Sequence, residues 1–325
     1  MPSKTYCWAI IDAMHEEMAR DDKVILIGED VATAGGAFGA TRGLLDAFGP
    51  MRVRDTPISE EIIVGLGVGA AMAGLRPIVE IMFIDFLGLC LDQIANQAAK
   101  THYIYNGMFS MPLVVRTSSA VEMGIGPHHS QAWESLVAHI PGLKVVMPST
   151  PRDAKGLLKS AIRDNNPVIF IEHIALHRIK EEIEEDADFV IPIGVADVKR
   201  VGTDVTVVAS GLMVARALAA AEVLAKDNIS VEVIDPRTIS PLDFDTITAS
   251  VRKTSRCLVV SSSHKNFGFG SEVAAEIGER AFFDLDQPVR RLSPPFTPAP
   301  FGRQFDQFLN PDTDAIVAAV RDLMA

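Results

Sequence analysis

The feature that most constrains this chain is a repeated alternation of short apolar runs with longer amphipathic stretches. Runs rich in Val, Ile and Leu occur at 24–27, 78–84, 113–116, 145–147 and 168–171. Between them lie stretches at 5–19, 59–73, 86–103 and 151–163 whose length and spacing predict helices. The last carries its own start signal. Ser149 or Thr150 can cap it, Pro151 suits its first turn, and Asp153 favours the positive helix end. Such alternation predicts a largely parallel sheet covered on both faces.

The run Lys180-Glu181-Glu182-Ile183-Glu184-Glu185-Asp186 then interrupts the pattern, and its charge makes it a poor core former. Alternation restarts beyond it. Strands are expected at 205–208, 231–234 and 258–260, with helices at 214–225, 243–252, 272–282 and 312–324. The expectation is two parallel-sheet α/β domains, 1–185 and 186–325. A chain of 325 residues that is 48% hydrophobic can fill two such cores.

Composition removes several function classes. A net charge of −12 disfavours nucleic acid and anionic membrane as main partners. The apolar runs at 62–75 and 78–91 are too short, or too interrupted by charge, to span a bilayer. Cys7, Cys90 and Cys257 are far apart and form no Cys-x-x-Cys pair, so no zinc or redox motif is visible. Residues 1–6 lack a signal-peptide core, and the expected location is the cytoplasm.

Gly65-Leu66-Gly67-Val68-Gly69-Ala70-Ala71 resembles a dinucleotide fingerprint, with Asp85 some way beyond. A real fingerprint follows a strand, and here Ser59-Glu60-Glu61 looks like a helix start. The glycines read better as a helix pressed closely against something. Gly268-Phe269-Gly270 reads as a strand-to-helix turn. No P-loop, Gly-x-Ser-x-Gly elbow or His-Glu-x-x-His occurs.

Three segments can carry chemistry. In Asp55-Thr56-Pro57-Ile58-Ser59-Glu60 a proline turn leads into a helix, and spacing alone would make Ser59 and Glu60 a cap. In Pro127-His128-His129-Ser130-Gln131 adjacent histidines point in different directions and make a poor metal pair. A loop histidine is nonetheless well placed for proton transfer. In Glu80-Ile81-Met82-Phe83-Ile84-Asp85-Phe86 a strand runs out into a loop, and ligands bind at such strand ends in open sheets. Its alternative is plain core.

Together with Gly74-Leu75-Arg76-Pro77, Asn96-Gln97-Ala98-Ala99-Lys100, Pro141-Gly142-Leu143-Lys144-Val145-Val146 and Ile234-Asp235-Pro236-Arg237-Thr238, these segments resemble one family along nearly the whole chain. It is the β subunit of the thiamine-diphosphate-dependent 2-oxo acid and acetoin dehydrogenases. The resemblance implies a transketolase-like pyrimidine-binding domain followed by a transketolase C-terminal domain. It implies an α2β2 heterotetramer whose α subunit holds the diphosphate and magnesium. This chain lacks the Gly-Asp-Gly turn that would do so. A lipoyl-bearing acyltransferase is the implied onward partner.

By the same resemblance, Glu60 matches the carboxylate at N1′ of the aminopyrimidine, buried so that it can share a proton. Ile58, Met82 and Phe86 match residues packing around that ring, and His129 matches the active-site histidine. Some members bind potassium in the β subunit, and the matching positions are Leu113, Ala161, Ile162, Asp164 and Asn166.

The chain departs from the family pattern at 117–123, at Ser261-Ser262-Ser263-His264 and at 294–303. Val146-Met147-Pro148 and Phe170-Ile171-Glu172-His173 lean toward the pyruvate and acetoin branches. A branched-chain 2-oxo acid enzyme, a split transketolase, a nicotinamide-dependent oxidoreductase built on 65–71 and a non-catalytic scaffold subunit are the alternatives.

Overall fold

The computed structural model describes residues 3–325. The chain forms two compact units. The first comprises residues up to Ser119 together with Leu136–Ile193, and the second comprises Ala120–Ser135 with Gly194–Ala325.

The first unit begins with β1 (Ser3–Thr5), α1 (Tyr6–Arg20), β2 (Val24–Gly28), α2 (Leu44–Phe48), β3 (Val53–Asp55), α3 (Glu60–Met72) and β4 (Arg76–Phe83). It continues through α4 (Ala99–Ile104) and β5 (Val114–Ser119). After an excursion the chain returns by α5 (Glu134–Ala138) to β6 (Lys144–Val146), α6 (Pro151–Arg163), β7 (Val168–His173) and β8 (Lys180–Glu182). Its main strands run β6-β7-β5-β4-β2-β3, each parallel to its neighbours.

Side-chain alternation covers both faces of this sheet. On one face Gly67 of α3 meets the sheet: a Cβ there would lie 2.7 Å from Val79 and 2.9 Å from Leu113. Glycine costs about 1 kcal/mol against alanine inside a helix, and this close approach offsets it. The glycines of 65–69 therefore lie within α3 rather than on a strand-to-helix turn, and the dinucleotide reading falls. On the other face Glu80 and Arg116 point toward Met14 of α1. Thr150 caps α6 through a 3.2 Å bond from the Asp153 amide, as the sequence predicts.

Two local expectations change. The stretch 86–103 is not one helix. A 3-10 turn at Ile84–Cys90 precedes a π segment at Gln93–Ala98 and then α4. The charged run at 180–186 lies inside the first unit rather than at its edge. There β8 pairs antiparallel with β1, Ile183 is buried, and Ser160 bonds the Ile191 carbonyl at 2.6 Å.

The second unit contains β9 (Asp197–Arg200), β10 (Val205–Ala209), α7 (Leu212–Ala225), β11 (Val231–Asp235), β12 (Thr238–Ser240) and α8 (Phe244–Thr254). Then come β13 (Cys257–Val260), α9 (Phe269–Arg280), β14 (Arg290–Leu292), α10 (Arg303–Leu309) and α11 (Thr313–Met324). Five strands run β14-β13-β10-β11-β9, parallel except for β9. Val205, Val207 and Ala209 pack with α7 and α11 on one face. The alternate residue, Thr206, faces α8 and bonds Ser250 and Thr254 at 2.7 Å each. Both units are thus open α/β sheets, the class expected from alternation.

Candidate active site

The carboxyl edge of the first sheet gathers four of the expected residues. The β3 strand ends at Asp55, whose carboxylate accepts from the Ala32 and Thr33 amides at 2.6 and 3.1 Å. Partial burial works to raise this carboxyl, but those hydrogen bonds outweigh it and hold it below the usual range. The chain then turns through Pro57 and enters α3. Ser59 does not cap the helix: its hydroxyl donates to the Pro57 carbonyl instead. The capping explanation for this pair therefore loses its support. Glu60 is the first residue of α3, where the helix dipole favours a carboxylate.

Strand β4, separated from β3 by β2, supplies the rest. The β4–β5 register shifts between Ile81 and Phe83, so Met82 is the extra residue of a bulge. Bulges re-aim side chains and often flank functional sites. The 3-10 turn after β4 packs on α3 and carries Phe86, whose ring meets Phe83 edge-on at 5.6 Å. Met82 and Phe86 are half-buried, whereas Ile58 is 73% exposed.

Glu60 is half-buried as well, which corrects the expectation that this chain buries it. The physical reason is its place on the first helical turn, with the adjoining Ile58 open to solvent. Its charge is nevertheless felt locally. Burial first, and Glu60 second, push the Cys90 thiol up to about 12. Glu29 is raised by its own desolvation, then by Asp30 and Glu60. A carboxylate at the start of α3 and two apolar side chains, Met82 and Phe86, thus lie on elements that pack against one another, with Ile58 in the turn before the helix. That fits a flat aminopyrimidine, which needs one acidic contact and otherwise apolar packing.

His129 belongs to the second unit, in an extended loop that sequence reasoning left undefined. His128 is exposed and His129 half-buried, and the His129 amide bonds the Gly126 carbonyl at 3.2 Å. The loop is pinned at several points. Glu122, at φ +70°, forms a two-pronged pair with Arg216 of α7, which also bonds the Pro311 carbonyl at 2.6 Å. The Gly124 carbonyl accepts from the Gly302 amide at 3.0 Å. Gly126 has φ +88°, and any Cβ there would fall 2.3 Å from the Phe301 ring. Sequence reasoning flagged this stretch only as a departure, because its partners lie about 90 to 180 residues away.

Glu134, at the start of α5, is a carboxyl the sequence reading missed. It is 1% exposed, and one of its oxygens lacks a partner. Burial pushes this carboxyl up, against a smaller opposing effect from hydrogen bonds that include Ser263. A carboxyl raised in the folded state stabilises the fold below the ordinary glutamate range. That contribution is lost as pH rises through the raised folded value. Glu134→Gln should therefore gain melting temperature over the parent at pH 8 and lose most of that advantage at pH 5. Equal differences at the two pH values in paired thermal melts would show that Glu134 does not titrate this way.

Four of the five positions considered for potassium lie in the last turn of α6 or just beyond it, and the fifth, Leu113, immediately precedes β5. The Leu113 carbonyl accepts from the Val168 amide. Arg76 donates to the carbonyls of Ile162 at 2.8 Å and Asp164 at 2.6 Å, and to Asn165 at 3.0 Å. The Asp164 carboxylate pairs with Lys144 and with Asn166. Burial works to raise Asp164, but those partners hold it below its usual range. The donor set is all oxygen, as an alkali cation requires, and each carbonyl keeps a second lone pair. Arg76 and Lys144 already bring positive charge there, so the ion would be an additional cation. Among the described residues, no three His, Cys, Asp or Glu side chains gather as a transition-metal or magnesium site would need. No described helix is long and apolar enough to cross a membrane.

The comparisons with known proteins bear on the family and the fold. Residues 3–179 match the transketolase pyrimidine-binding domain, and residues 194–316 match the transketolase C-terminal domain. The chain is 48% identical to the 2-oxoisovalerate dehydrogenase subunit beta of Bacillus subtilis, covering 99% of each chain. It is 44% identical to the beta subunit of acetoin:2,6-dichlorophenolindophenol oxidoreductase from Cupriavidus necator, covering 97% of this chain and 96% of that one. It is also 44% identical to the pyruvate dehydrogenase E1 component subunit beta of Bacillus subtilis, covering 98% of each. A solved split-gene transketolase, described as an inactive beta4 tetramer, superposes with a TM-score of 0.81 at 21% identity. It covers 98% of this chain and 97% of its own, and at that identity it speaks to fold alone.

Proposed function

Since this chain belongs to the transketolase-like family of β subunits of thiamine-diphosphate-dependent 2-oxo acid and acetoin dehydrogenases, we propose that it supplies the aminopyrimidine half of an active site. An α subunit completes that site in an α2β2 heterotetramer. The assembled enzyme oxidatively cleaves or decarboxylates pyruvate or acetoin and passes the acyl group to the lipoyl arm of an acyltransferase. The single observation that carries this reading is Glu60 on the first turn of α3, packed against the strand end and turn that carry Met82 and Phe86.

Thiamine diphosphate supplies a carbanion nucleophile and an electron sink when bound. This chain's residues do the rest of the local work. Glu60 holds a proton at N1′ of the aminopyrimidine. Ile58 is left 73% exposed and is covered when the α subunit docks, which gives Glu60 the desolvation this chain does not provide. His129 gives or takes a proton as the acyl group moves to the lipoyl sulfur. Magnesium and the diphosphate are held by the α subunit. Leu113, Ala161, Ile162, Asp164 and Asn166, several of them through backbone carbonyls, would hold a potassium ion beside Arg76. The cytoplasm is the proposed setting.

A branched-chain 2-oxo acid substrate is the second reading. It is favoured by the 48% identity to the 2-oxoisovalerate dehydrogenase subunit, against 44% for the acetoin and pyruvate relatives. The test is reconstitution with the α partner, thiamine diphosphate and magnesium, followed by reduction of an artificial acceptor. Pyruvate, acetoin and 2-oxoisovalerate are offered separately. Turnover with pyruvate or acetoin is expected, and turnover with 2-oxoisovalerate alone selects the second reading. Silence with all three overturns both. Repeating the assay in potassium and in sodium salt at equal ionic strength tests the cation, since a bound potassium ion predicts higher thermal stability in the potassium salt.

A further inference from the structure

Glu122 stands where a glutamate is out of place twice over. It is the third residue of a turn closed by the Met123 amide on the Ala120 carbonyl at 3.1 Å, and its φ is +70°. Such a position ordinarily takes glycine, because a side chain is strained at positive φ. The residue is also only 3% exposed, and a buried carboxylate is costly unless it is paired. Backbone strain of this kind persists where surrounding contacts over-determine it.

Arg216 supplies the main contact. It lies on the second turn of α7, 94 residues further along the chain, and holds both carboxylate oxygens. Nη1 donates to Oε1 at 2.7 Å, and Nη2 donates to Oε2. Nη1 also donates to the Pro311 carbonyl at 2.6 Å, just before α11. A two-pronged arginine–carboxylate pair fixes direction as well as distance. The loop beyond Glu122 is fastened to the same stretch of chain. The Gly302 amide donates to Gly124, Ile125 bridges to Phe301, and Gly126 lies against the Phe301 ring. The His129 amide then bonds the Gly126 carbonyl, so the histidine follows directly from the anchored segment.

We propose that Arg216 is a positioning residue: by holding Glu122 and Pro311 together it sets where the 120–135 loop, and His129 with it, stands during acyl transfer. This placement rests on the role given to His129 above. In that transfer the lipoyl disulfide opens. One sulfur takes the acyl group, the other takes a proton, and the two electrons come from the acyl-bearing carbon as it is oxidised. His129 supplies the proton to the second sulfur, so the step depends on where the loop holds it. The dye dichlorophenolindophenol accepts the same electrons and draws its protons from water, so it makes no such demand.

The test uses the reconstituted αβ enzyme with whichever of pyruvate, acetoin and 2-oxoisovalerate turns over. It compares acyl transfer to a lipoylated domain of the acyltransferase with reduction of the dye. Arg216→Met should lower the ratio of transfer to dye reduction about ten- to a hundredfold, the effect of a misplaced reacting group, with dye reduction near the parent. Arg216→Lys keeps the charge but not the fork, and its ratio should fall between. Glu122→Gly relieves the backbone strain while releasing Arg216. It should melt within a few degrees of the parent and still lose the ratio, which a purely stabilising pair would not cause. His129→Asn sets the scale, with transfer lowered about a hundredfold or more.

If His129→Asn keeps its transfer, the role of His129 falls and the positioning role of Arg216 with it. If His129→Asn loses transfer while Arg216→Lys and Glu122→Gly keep the parent ratio, the positioning role alone falls. Loss of transfer and dye reduction in equal proportion in those two variants also overturns it. A selective loss in Glu122→Gly sustains it even where Arg216→Met does not fold.

Discussion

Replacing Glu60 with glutamine in the reconstituted αβ enzyme should lower turnover by about 10²- to 10⁴-fold, the usual worth of a positioned proton-transfer group. Glutamine keeps the size of the side chain and can still hydrogen-bond to the aminopyrimidine. What it loses is the exchangeable proton at N1′. The Michaelis constant for the oxo acid should change far less than turnover, because the proposed role sets Glu60 against the cofactor ring rather than the substrate. Glu60→Asp, shorter by one methylene, should be intermediate, since the proton is retained and the distance is not. The measurement is acceptor reduction under saturating cofactor, with cofactor affinity determined separately. A glutamine variant within about threefold of the parent, well short of that range, would return Glu60 to the status of a helix-start residue. It would also favour the non-catalytic scaffold alternative.

The second large effect is on stability. Arg116 of β5 is 2% exposed and joins two buried carboxylates, Glu80 of β4 at 2.7 Å and Glu172 of β7 at 2.6 Å. Glu172 also meets His177 Nε2 at 3.3 Å, and the His177 ring stacks on Tyr6 at 5.8 Å between centroids. The two carboxyls respond oppositely. Burial pushes Glu80 up more than Arg116 holds it down. For Glu172 burial is outweighed, and Arg116 and His177 keep it below the usual range. Arg116→Met would fill the space and leave both carboxyls without their cation. The expected loss is about 3–5 kcal/mol, the cost of breaking a buried pair from one side.

The pH dependence gives this second prediction its sign. Without Arg116 both carboxyls have folded-state values above their unfolded ones. Stability of the variant is then greatest below the ordinary glutamate range and falls as pH rises through those values. The gap between parent and Arg116→Met should therefore narrow between pH 7 and pH 5 in urea unfolding. A loss under about 1 kcal/mol, the level of an exposed ion pair, would mean that the cluster is wetter than its burial indicates.

Much of the architecture was legible because it rests on local rules. The runs at 24–27, 168–171 and 205–208 become β2, β7 and β10 with small changes at their ends. The start of α6 follows from Thr150 and Pro151, and the edge of α3 from the proline turn before Glu60. The 86–103 stretch was less legible. Its apolar density announces burial, but density does not distinguish a 3-10 or π hydrogen-bond pattern from an α one. The 180–186 run misled for the converse reason: its charges say nothing of the distant strand, β1, that pairs with it.

The sequence by itself determined the fold class, the family and the position of Glu60 at the head of a helix. Each depends on residues close together in the chain, where steric and hydrogen-bonding preferences act at short range. Only the tertiary structure decided that Glu60 is half-exposed rather than buried. It alone put Arg116 between Glu80 and Glu172, and tied Glu122 to Arg216. Those outcomes depend on strand register and on which loops meet which helices. They are set by contacts between segments tens to hundreds of residues apart, which no local periodicity encodes.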